Sequence, residues 1–196
     1  MAEGGGFTRR HFLTVATVVT GGAGAIAAAV PFVASFKPSA RAQALGAPVT
    51  VDISKLEPGA LLRVEWRGRV IYVLNRTADM LASLGKDTAL LRDPESEKDQ
   101  QPNYAKNETR SIRPEVLVVQ GVCTHFGCAP APRFEVAPAD LGPEWPGGFF
   151  CPCHGSKFDL AGRVFTGVPA PDNLVVPPHR YINDNTILIG SDTGNS

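Results

Sequence analysis

CTHFGC at residues 123–128 and CPCHGS at residues 151–156 hold all four cysteines and two of the four histidines in a chain of 196 residues. Each stretch contributes one cysteine and one histidine at short, ligand-like spacing, Cys123-x-His125 and Cys151-x-x-His154. Each also carries a second cysteine, Cys128 in one and Cys153 in the other. Two thiolates and two imidazoles make a complete four-ligand set and leave two cysteines over. In an oxidising compartment, spare cysteines close in space pair as a disulfide. Three readings suit these residue types. A structural zinc site uses the same ligands. Two plain disulfides with uninvolved histidines explain neither the repeated Cys-then-His spacing nor the Gly and Pro residues that shape both loops. A [2Fe-2S] cluster can take two cysteines on one iron and two histidines on the other.

Upstream, residues 12–36 read FLTVATVVTGGAGAIAAAVPFVASF, without an ionisable side chain. As a helix this stretch is roughly 37 Å long, enough to cross a hydrocarbon core of about 30 Å. The apolar part of a cleaved secretory signal is shorter, about 7–15 residues, so the stretch is read as a retained transmembrane helix. Residues 8–13, TRRHFL, resemble a twin-arginine export signal. That route carries folded proteins, often with a metal centre already inserted, and it places residues 1–11 in the cytoplasm. Ala40-Arg41-Ala42 has the pattern of a cleavage site.

Residues 37–48, KPSARAQALGAP, offer too little apolar surface to bury and read as a flexible hinge. The 19 basic and 19 acidic residues cancel, so no net charge draws the chain to nucleic acid. With Gly 20 and Pro 17, the composition suits short strands and turns. Strand patterns at 61–66 and 70–74 flank Arg67-Gly68-Arg69 as a hairpin. Thr77 caps a short helix over 77–84. A strand at 116–120 leads into the first cysteine motif, and a Pro-rich loop spans 129–148. Further strands are predicted at 157–159, 163–165, 174–176 and 186–189. The polar stretch 92–110 reads as a surface excursion, its DPESEKD run a solvated face. His179 reads as an ordinary surface histidine, and His11 belongs to the signal. Gly127 and Gly155 supply backbone conformations that a β-carbon would hinder.

CTHFGC and CPCHGS resemble the two cluster-binding boxes of Rieske iron-sulfur proteins, C-T-H-x-G-C and C-P-C-H-G-S, and differ only at the variable position, Phe126. The export signal, the anchor, the small-residue linker and GVPAP at 167–171 extend the likeness to most of the chain. The resemblance is to the Rieske subunit of bacterial cytochrome bc complexes. It implies a mainly β fold: an antiparallel β-sandwich head over 49–196, a small cluster-binding subdomain at about 121–171, and the N-terminal transmembrane helix. It also implies a [2Fe-2S] cluster with Cys123 and Cys151 on the inner iron and His125 and His154 on the outer one. Cys128 and Cys153 then form the disulfide, which holds the two loops in register.

Rieske centres lie at about −150 to +300 mV, a recognised property of the class, against about −400 mV for plant-type ferredoxins. Such a centre can oxidise a quinol. The resemblance makes the chain part of an enzyme, the ubiquinol:cytochrome c reductase, and gives His154 the quinol-facing role, accepting a proton as the electron is taken up. His125 titrates with it as a coupled pair. Ser156 is placed to donate a hydrogen bond to a cluster sulfide. The family usually has a tyrosine where this chain has Phe158. Phe126 is expected at an apolar tip that docks on cytochrome b, and Pro169 and Pro171 in a third loop covering the cluster. Gly127 and Gly155 let amides approach the sulfurs. The implied partners are cytochrome b, a c-type cytochrome, quinol and the membrane, in a dimeric complex. The implied location is the bacterial inner membrane, crossed once, with the N-terminus cytoplasmic and the head periplasmic. An alternative is the Rieske small subunit of a periplasmic oxidase such as arsenite oxidase, which a mature N-terminus at Gln43 would favour.

Overall fold

The computed structural model describes residues 8–86 and 88–193. Helix α1 (Arg9–Ser35) begins at the twin arginines, with the Thr8 hydroxyl accepting from the His11 N–H. None of its residues is buried within the chain, Pro31 lies inside it, and it is long and apolar enough to cross a membrane. Residues 1–7 of the expected cytoplasmic segment lie outside the described residues. Helix α2 (Ala40–Gly46) lies within the linker, where no element was expected. Composition too small for a core is nonetheless rich in helix formers, Ala, Arg, Gln and Leu. Ser39 caps it, its hydroxyl accepting from the Ala42 N–H at 3.2 Å. One compact unit of the chain ends at Ala44 and a second begins at Leu45.

The second unit contains β1 (Val49–Asp52), β2 (Leu61–Trp66), β3 (Arg69–Asn75), α3 (Ala78–Ser83), β4 (Val116–Gln120), β5 (Ala131–Arg133), β6 (Gly148–Cys151), β7 (Ser156–Phe158), β8 (His179–Asn183) and β9 (Thr186–Ile189). Among the described residues these strands form three antiparallel sheets, ordered β1-β9-β8, β2-β3-β4 and β5-β6-β7. The β2–β3 hairpin turns on Arg67 and Gly68, both at positive φ, as a two-residue turn demands.

Period-two alternation then decides the layers. Trp66, Ile71, Val73, Val116 and Val118 of the middle sheet point to one core, with Val51, Ile187 and Ile189 from the first sheet. Tyr72, Leu74, Leu117 and Val119 point the other way, onto Phe149, Phe158, Cys123 and Cys151. The middle sheet is thus buried on both faces, which is why VLVVQ in β4 is a continuous run rather than an alternating one. The mainly β, antiparallel expectation is borne out, and the hairpin, β4, β9 and the Thr77-capped helix stand close to where the pattern put them.

Other expectations need correcting. Residues 163–165 and 174–176 form no strand. Their hydrogen bonds go to scattered partners: Leu174 N–H to the Gly162 carbonyl and Val176 N–H to that of Gln100, while Val164 and Phe165 make isolated bridges. The loop expected at 129–148 includes β5, and β6 and β8 follow no strong alternation. The DPESEKD run is solvated at Glu95, Glu97, Lys98 and Asp99, as expected, but the 92–110 stretch is not a surface excursion throughout: Ser96, Gln101, Ala105 and Arg110 are buried in it. His179 is buried as well, its Nδ1 bonding the Pro177 carbonyl at 2.8 Å and its backbone clasped by the Tyr104 hydroxyl.

Candidate metal centre

β4 delivers the chain to the first motif, and β6 and β7 flank the second, so each cysteine box is a loop set on a strand end. The two loops repeat one local geometry. Gly127 N–H bonds the Cys123 carbonyl at 2.9 Å, and Gly155 N–H bonds that of Cys151 at 2.9 Å. Both glycines have positive φ, 83° and 75°, and nothing lies near their missing β-carbons. The turn's conformation, not crowding, requires glycine there. Cys128 and Cys153 are joined as a disulfide. The sulfurs of Cys128, Cys151 and Cys153 cluster within 4.8 Å, yet the crosslink consumes two of them, so Cys151 alone of that trio can serve a metal.

Cys123 and Cys151 are the free thiols, both buried. Burial pushes the Cys151 thiol upward, and Cys123 beside it adds to the shift. Two buried thiols side by side suit a metal that would replace their protons. The histidines stand outward. Their rings are 4.7 Å apart and nearly perpendicular, at 87°. His125 Nδ1 is buried with no hydrogen-bond partner, an arrangement that costs free energy unless the lone pair binds something. That orphaned nitrogen is the observation in this structure that fits a metal ligand. Phe126 lies 3.9 Å from the His125 ring and 6.0 Å from that of His154, centroid to centroid, and is 79% exposed. An aromatic side chain out in solvent beside the two imidazoles gives the site an apolar tip.

A third segment, Gly167 to Pro171, runs alongside. The Ser156 hydroxyl is buried and accepts from the Ala170 N–H at 3.1 Å, so its own proton remains free to donate. Pro169 and Pro171 are exposed at this loop's surface. Sequence reasoning missed what braces it. Thr124, inside the first box, donates to the Asp172 carbonyl at 2.6 Å. Asn173 accepts from the Val164 N–H and donates to the Asp93 carbonyl, and Lys98 pairs with Asp172. The 92–110 excursion is therefore the clamp that holds the third loop. Beside it, in the turn after β7, Asp159 and Arg163 form a buried ion pair at 2.7 Å.

Thiols sealed under a crosslinked pair of loops, with imidazoles at the solvent edge, define a binuclear iron-sulfur carrier of mixed Cys and His ligation. The comparisons with known proteins agree. A family profile described as "Rieske [2Fe-2S] domain" matches residues 49–178, and one described as "Ubiquitinol-cytochrome C reductase Fe-S subunit TAT signal" matches residues 1–39. The chain belongs to the Rieske [2Fe-2S] family. It is 60% identical to the ubiquinol-cytochrome c reductase iron-sulfur subunit of Allochromatium vinosum, over 100% of this chain and 94% of that one. Subunits of the same name from Blastochloris viridis and Bradyrhizobium diazoefficiens are 43% and 40% identical, over 94% and 93% of this chain and 93% and 94% of theirs. Together with α1, the signal match makes this a membrane-anchored chain with an exported head.

Proposed function

We propose that this chain is the iron-sulfur subunit of a quinol:cytochrome c reductase, taking an electron and a proton from quinol and passing the electron to a c-type cytochrome. The observation that carries the reading is the pair of perpendicular imidazoles at an exposed apolar tip, backed by two buried thiols. Identity of 60% along the whole chain to a reductase subunit supports it over the periplasmic-oxidase alternative.

A [2Fe-2S] cluster bound here supplies a one-electron acceptor in the potential range of its class. Cys123 and Cys151 would hold one iron of the cluster, and His125 and His154 the other. His154, exposed, presents its remaining nitrogen to the quinol hydroxyl and receives its proton. Phe126 fills an apolar cleft on cytochrome b and excludes water from that hydrogen bond. The Ser156 proton, left free by the bond from Ala170, would be available to donate to a bound cluster and so favour its reduced state. Gly127, Gly155 and Pro169 shape the cover over the centre. Residues 37–48, with α2 inside them, tether the head so that it visits cytochrome b and the c-type cytochrome in turn. Helix α1 crosses the bacterial inner membrane once, N-terminus cytoplasmic and head periplasmic, within a dimeric complex.

EPR of the dithionite-reduced full chain, with a midpoint potential measured against pH, tests this. Iron-dependent paramagnetism and a potential that falls as alkalinity rises are expected. A colourless, iron-free protein refutes the assignment and leaves the zinc reading; a potential independent of pH refutes the proton-accepting role of the histidines.

A further inference from the structure

We propose that Tyr72 positions both cluster loops on the middle sheet, its hydroxyl serving as the latch of the first. Tyr72 sits on β3 and is 3% exposed. Its hydroxyl donates to the Pro130 carbonyl at 2.8 Å in a buried bond. Its ring lies so close to Gly121 that a β-carbon there would come within 2.5–2.7 Å of three ring atoms. The ring also stacks on Phe149, with centroids 5.6 Å apart and planes 15° apart. These three partners are evenly placed about the cysteines: Gly121 is two residues before Cys123, Pro130 two after Cys128, and Phe149 two before Cys151. One side chain thus touches the start and the finish of the first loop and the strand that starts the second.

The ring alone would fill the space. The hydroxyl does something packing cannot, because it reaches across 58 residues of sequence to a carbonyl just beyond the crosslinked cysteine. With the Cys123 N–H to Cys128 carbonyl bond at 2.7 Å, it closes the loop that carries His125. Without it, a buried carbonyl is left unpaired, and the loop opens about the disulfide and tilts His125 against His154.

Tyr72→Phe in the full chain keeps the ring and deletes only the latch. Thiol exchange at the Cys128–Cys153 disulfide in native buffer should then run about fivefold faster, the factor one neutral hydrogen bond contributes to a closing equilibrium. The reduced EPR lines should broaden as His125 samples more than one orientation. Tyr104→Phe serves as the control: its hydroxyl bonds the His179 backbone, so it should lower stability and move neither readout. Unchanged exchange and line width in Tyr72→Phe, even with a lower melting temperature, would reduce Tyr72 to packing and overturn the proposal. The effect on His125 rests on the ligand assignment above. That assignment fails separately if the unmutated chain gives no iron signal, and disulfide exchange still decides the latch.

Discussion

Replacing Asp159 by alanine removes the carboxylate that faces three buried guanidinium groups. Arg76, Arg110 and Arg163 are each 2% exposed or less, and Asp159 is 5% exposed. The carboxylate accepts from Arg163 Nε at 2.7 Å and from the N–H groups of Ala161 and Arg163 at 2.9 and 2.7 Å. Around it, Arg76 bonds the Leu160 carbonyl and Arg110 those of Ala161 and Gly162, so the turn after β7 is held from every side. Burial pulls the Arg76 and Arg110 guanidinium groups down to about 10, with Asp159 pulling the other way. Arg76 and Arg110 therefore stay charged at neutral pH, and the cluster of three guanidinium groups about one carboxylate carries more positive than negative charge. Asp159→Ala worsens that imbalance and strands two amides. Breaking a buried pair in this way costs about 3–5 kcal/mol, and at roughly 2–4 °C per kcal/mol for a chain of this size the melting temperature drops by roughly 6–20 °C. Arg163→Met relieves the imbalance, though it leaves the Asp159 carboxylate without its ion-pair partner and the Leu84 carbonyl without its donor, so its drop should be smaller. Thermal unfolding of the detergent-solubilised chain, followed by near-ultraviolet circular dichroism, compares the two. A drop for Arg163→Met equal to or above that for Asp159→Ala would refute the charge argument.

Three further outcomes follow from the same geometry. Phe158 is fully buried opposite Phe149 across β6 and β7; Phe158→Tyr adds a hydroxyl toward the centre and should raise the midpoint potential by about 40 mV, the equivalent of about 1 kcal/mol for one electron, and voltammetry showing no rise counts against it. Removing the crosslink with Cys128→Ser and Cys153→Ser, whose sequence separation is 25, should cost about 3.5 kcal/mol by loop-closure entropy, measured as a lower urea midpoint; an unchanged midpoint would mean the loops are held by other contacts. Burial lowers the pKa of His179 from 6.5, with the Pro177 carbonyl opposing. The unfolded chain therefore takes up a proton that the folded one refuses, and stability is lost as pH falls below about 6.5. His179→Gln should flatten that slope in equilibrium unfolding, and an unaltered slope would place the acid sensitivity elsewhere.

The elements readable in the sequence were those whose signal is local. Leu61–Trp66 and Arg69–Asn75 show through because alternation and a two-residue turn both act within a few residues. Thr77 shows through because a cap bonds three residues ahead. Hidden were β5, whose APR is stabilised by pairing with β6, and β6 itself, where Gly148 meets the Phe158 carbonyl so closely that no side chain fits. The stretch 92–110 misled because polar residues are read as solvated. Gln101 bonds Arg110, and Arg110 bonds carbonyls some 50 residues on, so their partners could not be seen along the chain.

The candidate ligand types and the membrane affinity were legible in the residues alone. Two thiols and two imidazoles at fixed short spacings, and an uncharged apolar run, keep their meaning in any fold, because metal affinity and transfer free energy belong to side chains. The fold had to decide which cysteines face each other, which nitrogen is left without a partner and which arginines are buried. It also placed the Tyr72 hydroxyl over Pro130. Those are distances between groups far apart in the chain, and only packing of the sheets sets them.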